Sequence, residues 1–324
     1  MKDQNNKRLT IIIITYNQEN LIGRALDSIL IQKEWGVKDI IICDDCSTDN
    51  NWKVINKYAQ EYPDIIRAYR NEKNLGIYGN LQHGLTYIQE TDLITFCSGD
   101  DAFCDGYFKV IQDYLKDKDL DYQNEPFAIY SDFKFVYPNN KEKIFYNKNI
   151  KLKANPISLK LRNLIYNRSV FCSLNLIKSY HKVPVDRGVS VAEGLFDLQM
   201  TLHSKKNFYV PVVGSIYYAG IGVSTKMWTP QHWENMIERN KEYLMIPELS
   251  KSDIAYINHT TYLLSFYINP TFKKYLKTWY YYIKSGKLGF NVLECLCTNK
   301  IMITYALKKI FLHVKNKEQN STTE

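Results

Sequence analysis

Two pairs of adjacent aspartates are the side chains of this sequence whose types and spacing best suit chemistry. Asp100 and Asp101 follow one short apolar run, and Asp44 and Asp45 follow another. Adjacent carboxylates repel each other unless water solvates them or a cation neutralises them. A hard divalent cation takes carboxylate oxygens as ligands and readily shares the phosphates of a substrate. The pair at Asp100 is therefore a candidate metal site. The alternative is a solvated turn in which an aspartate caps a helix.

The pair at Asp44 suits a different kind of contact. An ionised carboxylate accepts hydrogen bonds and donates none, so Asp44 or Asp45 is expected to accept the N3–H of a uracil base. Ser47 and Thr48 follow closely in the chain, and hydroxyl side chains are frequent helix N-caps. We therefore predict that one of these two residues caps the next helix.

The elements that must position these carboxylates alternate between strand and helix over the first 120 residues. Four apolar runs predict strands, at Thr10–Ile14, Asp39–Cys43, Ile65–Tyr69 and Leu93–Cys97. The residues between them recur at helical spacing, and this alternation predicts βαβ units, a parallel sheet and right-handed crossovers. Ligands of such sheets bind beyond the carboxyl ends of the strands. The four loops that follow these strands should therefore meet at one edge.

The four loops carry polar residues in a distinctive order. The residues expected at the site are, in chain order, Thr15, Tyr16, Asn17, Asp44, Asp45, Asn74, Gly76, Ser98, Asp100 and Asp101. Each short motif alone is weak evidence for a family. Four of them in this order at successive strand ends resemble the family 2 glycosyltransferases with the A-type nucleotide-sugar-binding fold. The resemblance covers residues 9 to 115 strongly and extends weakly to about residue 225.

This resemblance implies a fold, a reaction and a set of ligands. The fold would be α/β, with a mostly parallel, Rossmann-like sheet. The reaction would be an inverting transfer of a sugar from a nucleotide-sugar donor to an acceptor hydroxyl. The turn at Thr15 and the acidic pair at Asp44 would hold the nucleoside, and the pair favours a UDP-sugar. Asp100, with Asp101 beside it, would bind a divalent metal, Mn²⁺ or Mg²⁺, on the diphosphate. Ser98 stands where the family often has the first aspartate of an Asp-x-Asp motif, so a carboxylate that would contact the ribose is missing.

The catalytic base is also expected from the resemblance. The family often has a Glu-Asp pair on a helix beside the acceptor, but here Gly194 replaces the aspartate. Two candidates remain, Glu193 and Asp197, which share a helix face because they are four residues apart. Glu193 lies nearer the predicted helix start, where the helix dipole favours an ionised carboxylate. We therefore expect Glu193 to be the base and Asp197 to anchor the helix.

The second half of the chain predicts further elements and a second region. Strands are expected at Phe127–Tyr137 and Phe208–Tyr218, and helices at Ile157–Tyr166 and Ala192–Ser204. The segment Gly220–Thr225 resembles a family segment that can cover the diphosphate, and the alternative is a plain turn. We expect a catalytic domain over residues 1–228 and a helical, aromatic and basic region over residues 229–324.

The net charge of +8 belongs to the C-terminal region. Thr271–Glu318 contains ten lysines and two acids, so the rest of the chain balances to zero. The same segment contains the aromatic residues Trp279, Tyr280, Tyr281, Tyr282, Phe290 and Phe311. Aromatic side chains favour the bilayer interface and lysines favour an anionic surface. We therefore expect this segment to bind peripherally to the inner face of a membrane. The alternative is a basic helical cap on the catalytic domain. The sequence opens with no secretory signal and has no apolar stretch of about 18 residues, so the expected location is cytoplasmic.

Other functions lack the residues that they need. No G-x-G-x-x-G follows the first strand, which argues against a dinucleotide oxidoreductase. A nucleotidyltransferase usually needs a basic, Gly-rich loop there, and Thr15–Asn20 has neither Gly nor Lys. A non-catalytic sugar-nucleotide-binding subunit is the remaining alternative. The expected partners are a nucleotide-sugar donor and a sugar or lipid-linked glycan acceptor, and no nucleic acid. By the resemblance, the reaction would belong to the synthesis of cell-surface polysaccharides or glycans.

Overall fold

The computed structural model describes residues 8–151, 155–162, 164, 166–179, 189–221 and 229–286. The chain forms two compact units, Met1–Met227 and Trp228–Glu324. The described part of the first unit contains a large sheet with helices, and the described part of the second unit is helical.

The strands described in the first unit form a single sheet of nine. They are β1 (Leu9–Thr15), β2 (Val37–Asp44), β3 (Ile66–Arg70), β4 (Leu93–Ser98), β5 (Ala102–Phe103), β6 (Phe127–Val136), β7 (Glu142–Phe145), β8 (Val170–Ser173) and β9 (Lys206–Tyr218). Their order is β3-β2-β1-β4-β8-β6-β9-β5, and β7 pairs with β6. Strands β1 to β4 are parallel, as are β6 and β9, whereas β5, β7 and β8 run antiparallel to their neighbours. The prediction of a mostly parallel α/β sheet is confirmed.

Helices pack on both faces of this sheet. They are α1 (Ile22–Leu30), α2 (Asn51–Glu61), α3 (Gly76–Leu85), α4 (Tyr107–Lys116), α5 (Pro156–Leu161), α6 (Leu174–Lys178) and α7 (Val189–His203). In β1, Ile11 and Ile13 belong to the core that contains α1, α2 and α4, and Ile12 belongs to the core that contains α3 and α7. Because β1 is buried on both faces, every position can be apolar. The burial of both faces of β1 explains its unbroken run of isoleucines.

Several elements differ from the sequence prediction. Strands β5, β7 and β8 and helix α6 have no counterpart in it, because segments of two to five residues carry little periodicity and are fixed by their partners. Helix α4 also has no counterpart, although its ten residues bury one regular face against the sheet. The helix predicted from Ile157 ends at Leu161. The prediction that Ser47 or Thr48 caps the next helix is wrong. Helix α2 begins at Asn51, and the Ser47 hydroxyl is instead bonded to Asp44.

The described part of the second unit consists of three helices, α8 (Pro230–Tyr243), α9 (Lys251–Ile268) and α10 (Phe272–Lys284). Each follows a hydroxyl residue, Thr229, Ser250 or Thr271, whose side chain accepts a hydrogen bond from a backbone amide in the first turn. Such caps satisfy amides that have no partner within the helix. In the ranges described, no helix has the length and apolar character needed to cross a membrane.

Candidate functional site

The loops after β1, β2 and β4 are joined by hydrogen bonds at the carboxyl edge of the sheet. The Asp45 amide donates to the Thr15 carbonyl at 2.9 Å, and the Gly99 amide donates to a carbonyl of β1 at 3.0 Å. Asn51 Nδ2 donates to Thr15 Oγ1 at 3.1 Å and to Asp44 Oδ1 at 2.7 Å. The structure therefore brings the turn at Thr15 and both aspartate pairs to one edge.

Asp44 is fully buried, and its carboxylate is engaged inside the protein. Its Oδ1 accepts from Ser47 Oγ at 2.5 Å and from Asn51 Nδ2 at 2.7 Å. Its Oδ2 accepts from the Ser47 amide at 3.1 Å and lies 3.3 Å from Arg70 Nε. These contacts make Asp44 the organiser of its loop and leave it poorly placed to contact a ligand.

Asp45 is also buried, and the hydrogen bonds described for its carboxylate all reach one of the two oxygens. Its Oδ1 accepts from Asn71 Nδ2 and from the Leu75 amide, both at 2.8 Å. Among the described residues, no hydrogen bond reaches Oδ2. Of the two predicted nucleoside contacts, Asp45 has the oxygen that a donor on a ligand can use.

A chain of hydrogen bonds runs from Asp45 into α3. His83 Nδ1 lies 2.5 Å from Asn71 Oδ1, and because this oxygen only accepts, Nδ1 carries the proton. In the neutral ring, Nε2 then accepts from the Tyr87 hydroxyl at 2.8 Å. The Tyr87 ring stacks on Tyr69 with centroids 3.4 Å apart. His83 was not a sequence candidate, because a histidine in a helical pattern gives no sign of its partners.

The other residues predicted in the first three loops are exposed or have local partners. Tyr16 is 43% exposed. Asn17 has a φ of 53° and accepts from the Thr48 amide at 2.7 Å. Asn74 Oδ1 accepts from the Gly76 amide at 3.0 Å, and Gly76 has a φ of 75°, which favours glycine. Asn74 and Gly76 therefore shape the turn into α3, whereas the Tyr16 ring is open to a ligand.

Asp100 and Asp101 lie side by side just after β4, which ends at the half-buried Ser98. Burial raises the pKa of Asp100. Burial, together with the charge of Asp100, raises the pKa of Asp101 to about 7. Two partly desolvated carboxylates that repel each other form a site that a cation would stabilise.

Gly99 allows this acidic loop to approach the loop after β1. A methyl group at position 99 would lie 2.5 Å from Gln18 Oε1 and 2.7 Å from Thr15 Oγ1. These separations are well inside van der Waals contact, so any side chain at this position would force the two loops apart. The close packing of these two loops therefore explains why a glycine lies between Ser98 and Asp100.

The acidic pair fits a cation that is shared with a phosphate ligand. The described residues contain no group of three or more His, Cys, Asp or Glu side chains that could hold a metal ion. Mg²⁺ is commonly held by one or two carboxylates, with substrate phosphates and water completing its coordination. Asp100 and Asp101 can supply such ligands, so the residues present suit a metal–diphosphate rather than a metal enclosed by protein alone.

Two arginines absent from the sequence prediction flank the Asp100 loop. Arg24, on α1, donates from Nη2 to the Asp100 carbonyl, and its guanidinium lies 3.5 Å from the Tyr218 ring centroid. Arg168 Nη1 lies 3.9 Å from Asp101 Oδ2. No motif contains both arginines, because they come from distant parts of the chain. They add positive charge beside the two aspartate pairs, and this mixture suits a ligand with several negative charges.

The two candidate bases lie on α7, and they differ in what the structure describes. Asp197 Oδ2 forms an ion pair with Lys160 Nζ of α5 at 2.8 Å, a contact that fits an anchoring role. The backbone of Glu193 belongs to α7, but its side chain lies outside the described residues. Of the Gly-rich segment, Gly220 and Ile221 are described, and residues 222–225 lie outside the described ranges.

The path of α7 places the Glu193 backbone toward the carboxyl edge. Helix α7 ends at His203, and β9 begins at Lys206 on the opposite edge, so α7 runs from the carboxyl edge to the amino edge. Phe196 packs edge-to-face on Phe96, near the end of β4, with ring centroids 5.6 Å apart. Glu193 precedes Phe196 by three residues, which is almost one helical turn. Its backbone therefore lies about 4.5 Å closer to the carboxyl edge than that of Phe196.

The same fold occurs in solved glycosyltransferases. TarS of S. aureus, solved in complex with UDP-GlcNAc, has a TM-score of 0.60 over 83% of this chain and 76% of its own, at 16% identity. The mannosyltransferase PcManGT of Pyrobaculum calidifontis, solved with GDP-Man and Mn²⁺, has a TM-score of 0.55 over 95% of this chain and 84% of its own, at 13% identity. At these identities the likeness is one of fold.

The family match covers the part of the chain that carries the candidate site. The chain is 33% identical over 95 residues to the poly(ribitol-phosphate) beta-glucosyltransferase of Bacillus spizizenii, which is 29% of this chain and 15% of that protein. It spans about a third or less of the curated relatives that it matches. The model of glycosyl transferase family 2 matches residues 10–178, more than half of the chain. Because this match takes in β1 to β4 and the loops with both aspartate pairs, the chain belongs to glycosyl transferase family 2.

Proposed function

We propose that this protein is a metal-dependent, inverting glycosyltransferase that moves a sugar from a UDP-sugar to an acceptor hydroxyl. One observation carries the proposal: a buried carboxylate with an uncommitted oxygen, Asp45, shares a sheet edge with the desolvated pair Asp100 and Asp101. A hydrogen-bond acceptor suits the base of a nucleoside diphosphate, and a carboxylate pair suits its metal-bound phosphates.

The nucleoside end of the donor is assigned to Asp45 and Tyr16. Asp45 Oδ2 would accept the N3–H of uracil, while Oδ1 is held by Asn71 and Leu75. Because these two donors fix the carboxylate, its free oxygen is oriented before a ligand arrives. The exposed Tyr16 ring is available to pack on the base.

The diphosphate end is assigned to the loop after β4. Asp100 and Asp101 would hold Mn²⁺ or Mg²⁺, and the bound cation would neutralise charge on the departing diphosphate. Arg24 and Arg168 lie beside this loop and attract the same negative charge. The presence of Mn²⁺ with GDP-Man in PcManGT, which has this fold, supports the choice of a divalent cation.

We assign the general base to Glu193. A carboxylate that accepts the proton of the attacking hydroxyl typically contributes about 10²–10⁴-fold to the rate. Asp197 is already paired with Lys160, whereas the backbone of Glu193 lies nearer the carboxyl edge, where the donor would bind. A single displacement at the anomeric carbon, with the hydroxyl attacking opposite the leaving diphosphate, inverts the configuration.

The acceptor is proposed to be a sugar or a lipid-linked glycan in cell-surface polysaccharide synthesis. The support is sequence similarity, since one relative is a beta-glucosyltransferase named for poly(ribitol-phosphate). Acceptors of this kind present sugar or polyol hydroxyls, and the proposed base would act on such a group.

The identity of the products tests the reaction class. With Mn²⁺ and a panel of nucleotide-sugars, the protein should slowly release nucleoside diphosphate even without an acceptor, because water can take the place of the hydroxyl. A nucleotidyltransferase would instead release pyrophosphate from a nucleoside triphosphate. A non-catalytic subunit would bind the donor and release nothing. Either of these results would contradict the proposal.

A further inference from the structure

Helix α10 carries an apolar face that is exposed to solvent. Phe272, Leu276, Tyr280 and Ile283 are 63%, 51%, 51% and 64% exposed. They are spaced by four, four and three residues, so they lie on one side of the helix. Four large apolar side chains along the solvent-exposed face of a helix are unusual, because that face normally carries polar residues.

The opposite face of α10 is held by α9. Thr278 and Tyr282 of α10 are buried. Tyr281 stacks on Tyr262 with ring centroids 5.5 Å apart, and Lys277 Nζ donates to the Tyr262 hydroxyl at 2.8 Å. Rotating the apolar face inward would break these contacts, so the packing on α9 fixes that face outward.

The charges on α10 are all positive. The helix contains Lys273, Lys274, Lys277 and Lys284 and no acidic residue. Lys273 and Lys284 are exposed and lie along one border of the apolar face. The residues of α10 that are exposed are therefore four large apolar side chains and two lysines.

We propose that this face of α10 binds an anionic lipid bilayer surface. The four apolar side chains would enter the headgroup boundary, and the lysines would contact the anionic headgroups. At 13 residues the helix is about 20 Å long, which is shorter than the hydrocarbon core of about 30 Å. It would therefore lie in the interface and not span the bilayer.

Charge favours a bilayer over a second copy of this chain. Two α10 faces brought together would place lysines against lysines, with no acid on either helix to pair with them.

The proposed membrane face includes fewer aromatic residues than the sequence predicted for membrane contact. Of the aromatic residues expected at a membrane, Tyr280 is exposed and Tyr282 is buried, while Phe290 and Phe311 lie outside the described residues. The proposal is independent of the transfer reaction.

Sedimentation of the full-length protein with vesicles tests this assignment. Vesicles of phosphatidylcholine alone are compared with vesicles of phosphatidylcholine and phosphatidylglycerol at a ratio of about 3:1, a composition that supplies the anionic surface. The wild type should bind the anionic vesicles and bind the neutral ones far more weakly. Changing Phe272, Leu276, Tyr280 and Ile283 together to serine should weaken binding at least about tenfold, because the apolar contact is lost. Lys273→Gln with Lys284→Gln should weaken it by about fivefold per lysine.

The matched control changes four exposed apolar residues in the other unit to serine, Ile31, Val110, Ile144 and Tyr146. This variant should bind like the wild type. The proposal is overturned if the α10 serine variant, shown to be folded by its circular dichroism spectrum, also binds like the wild type. It is equally overturned if the wild type binds neutral and anionic vesicles alike. The third contrary outcome is a wild type that ignores vesicles and forms a dimer that the serine variant loses, which would make α10 a contact between two copies.

Discussion

At the scale of single residues, Asp45 is predicted to act in donor binding. Asp45→Asn can keep an oxygen for the donors of Asn71 and Leu75, but it replaces the free carboxylate oxygen with an amide that donates. We expect the affinity for UDP to fall at least about tenfold, which is the loss of one hydrogen bond to a charged group. The melting temperature should stay near that of the wild type. Calorimetric titration with UDP and Mn²⁺ measures the affinity.

Asp44→Ala is the matched comparison for this change. The Asp44 carboxylate has partners on Ser47, Asn51 and Arg70, so its removal leaves buried polar groups unsatisfied. We expect a loss of about 1–3 kcal/mol in the free energy of unfolding. Chemical denaturation measures it. Unchanged UDP affinity in Asp45→Asn would show that Asp45 does not contact the base.

Asp101 is predicted to make the protein less stable as pH rises. Its pKa in the folded protein is about 7, above the ordinary value of 3.8. The folded state therefore holds this proton more tightly than the unfolded chain. The free energy of unfolding falls between 3.8 and about pH 7, and the full penalty is present above that range. Asp101→Asn, which stays neutral, should raise the melting temperature in metal-free buffer more at pH 8 than at pH 5. An equal or smaller rise at pH 8 would contradict this account.

The carboxylates at the site could be predicted, and their cationic neighbours could not. Acids directly after buried strands stand out in a sequence, because strand ends in a parallel sheet mark the binding edge. Arg24 lies within a helix, and Arg168 lies in the loop before β8. Only tertiary packing shows that both reach the Asp100 loop.

At the scale of elements, the contact between the loops after β1 and β4 depends on Gly99. Gly99→Ala would press a methyl group against Gln18 and Thr15, and overpacking of this kind costs about 1–3 kcal/mol. We expect a lower melting temperature and weaker donor binding, because the two loops must separate. Gly23→Ala is the control. Its methyl group would meet only the Tyr58 hydroxyl, at 3.3 Å, and stability should change by less than about 1 kcal/mol.

Helix α7 is predicted to supply the base through Glu193. Glu193→Gln should reduce the rate of sugar transfer at least about a hundredfold, while the affinity for the donor stays near that of the wild type. Asp197→Asn should instead lower the melting temperature, because it breaks the ion pair with Lys160, and should leave most of the rate. Initial rates at saturating donor separate the two effects. The reverse pattern would assign the base to Asp197.

The strength of the local signal explains most of the elements that could be predicted. Strands β1 to β4 are rich in apolar residues, although charged residues interrupt β2 and β3, and their predicted bounds agree with the structure to within two residues. The start of α2 could not be predicted from the local sequence. The Ser47 hydroxyl donates to Asp44 and accepts from the Asn17 amide, and it does not cap the helix. The two-residue strand β5 exists because β9 pairs with it.

At the scale of the whole molecule, the proposed functions belong to different compact units. The residues of the proposed donor site lie within Met1–Met227, and the proposed membrane face lies in Trp228–Glu324. The net charge of +8 is likewise carried by Thr271–Glu318 and not by the part with the proposed donor site. The two proposals can therefore be tested with separate variants.

The most direct test of the central claim is the Mn²⁺-dependent release of UDP from a UDP-sugar by Asp100→Asn and by Asp105→Asn. Asp105 is an exposed aspartate close to Asp100 in the chain and has no assigned role. A neutral amide is a poor ligand for a hard cation, so Asp100→Asn should lose most of the activity and Asp105→Asn should keep it. Chelation of the metal should reduce the wild type to the level of Asp100→Asn. Full activity of Asp100→Asn, or of the wild type in excess chelator, would contradict a metal-bound diphosphate at this sheet edge.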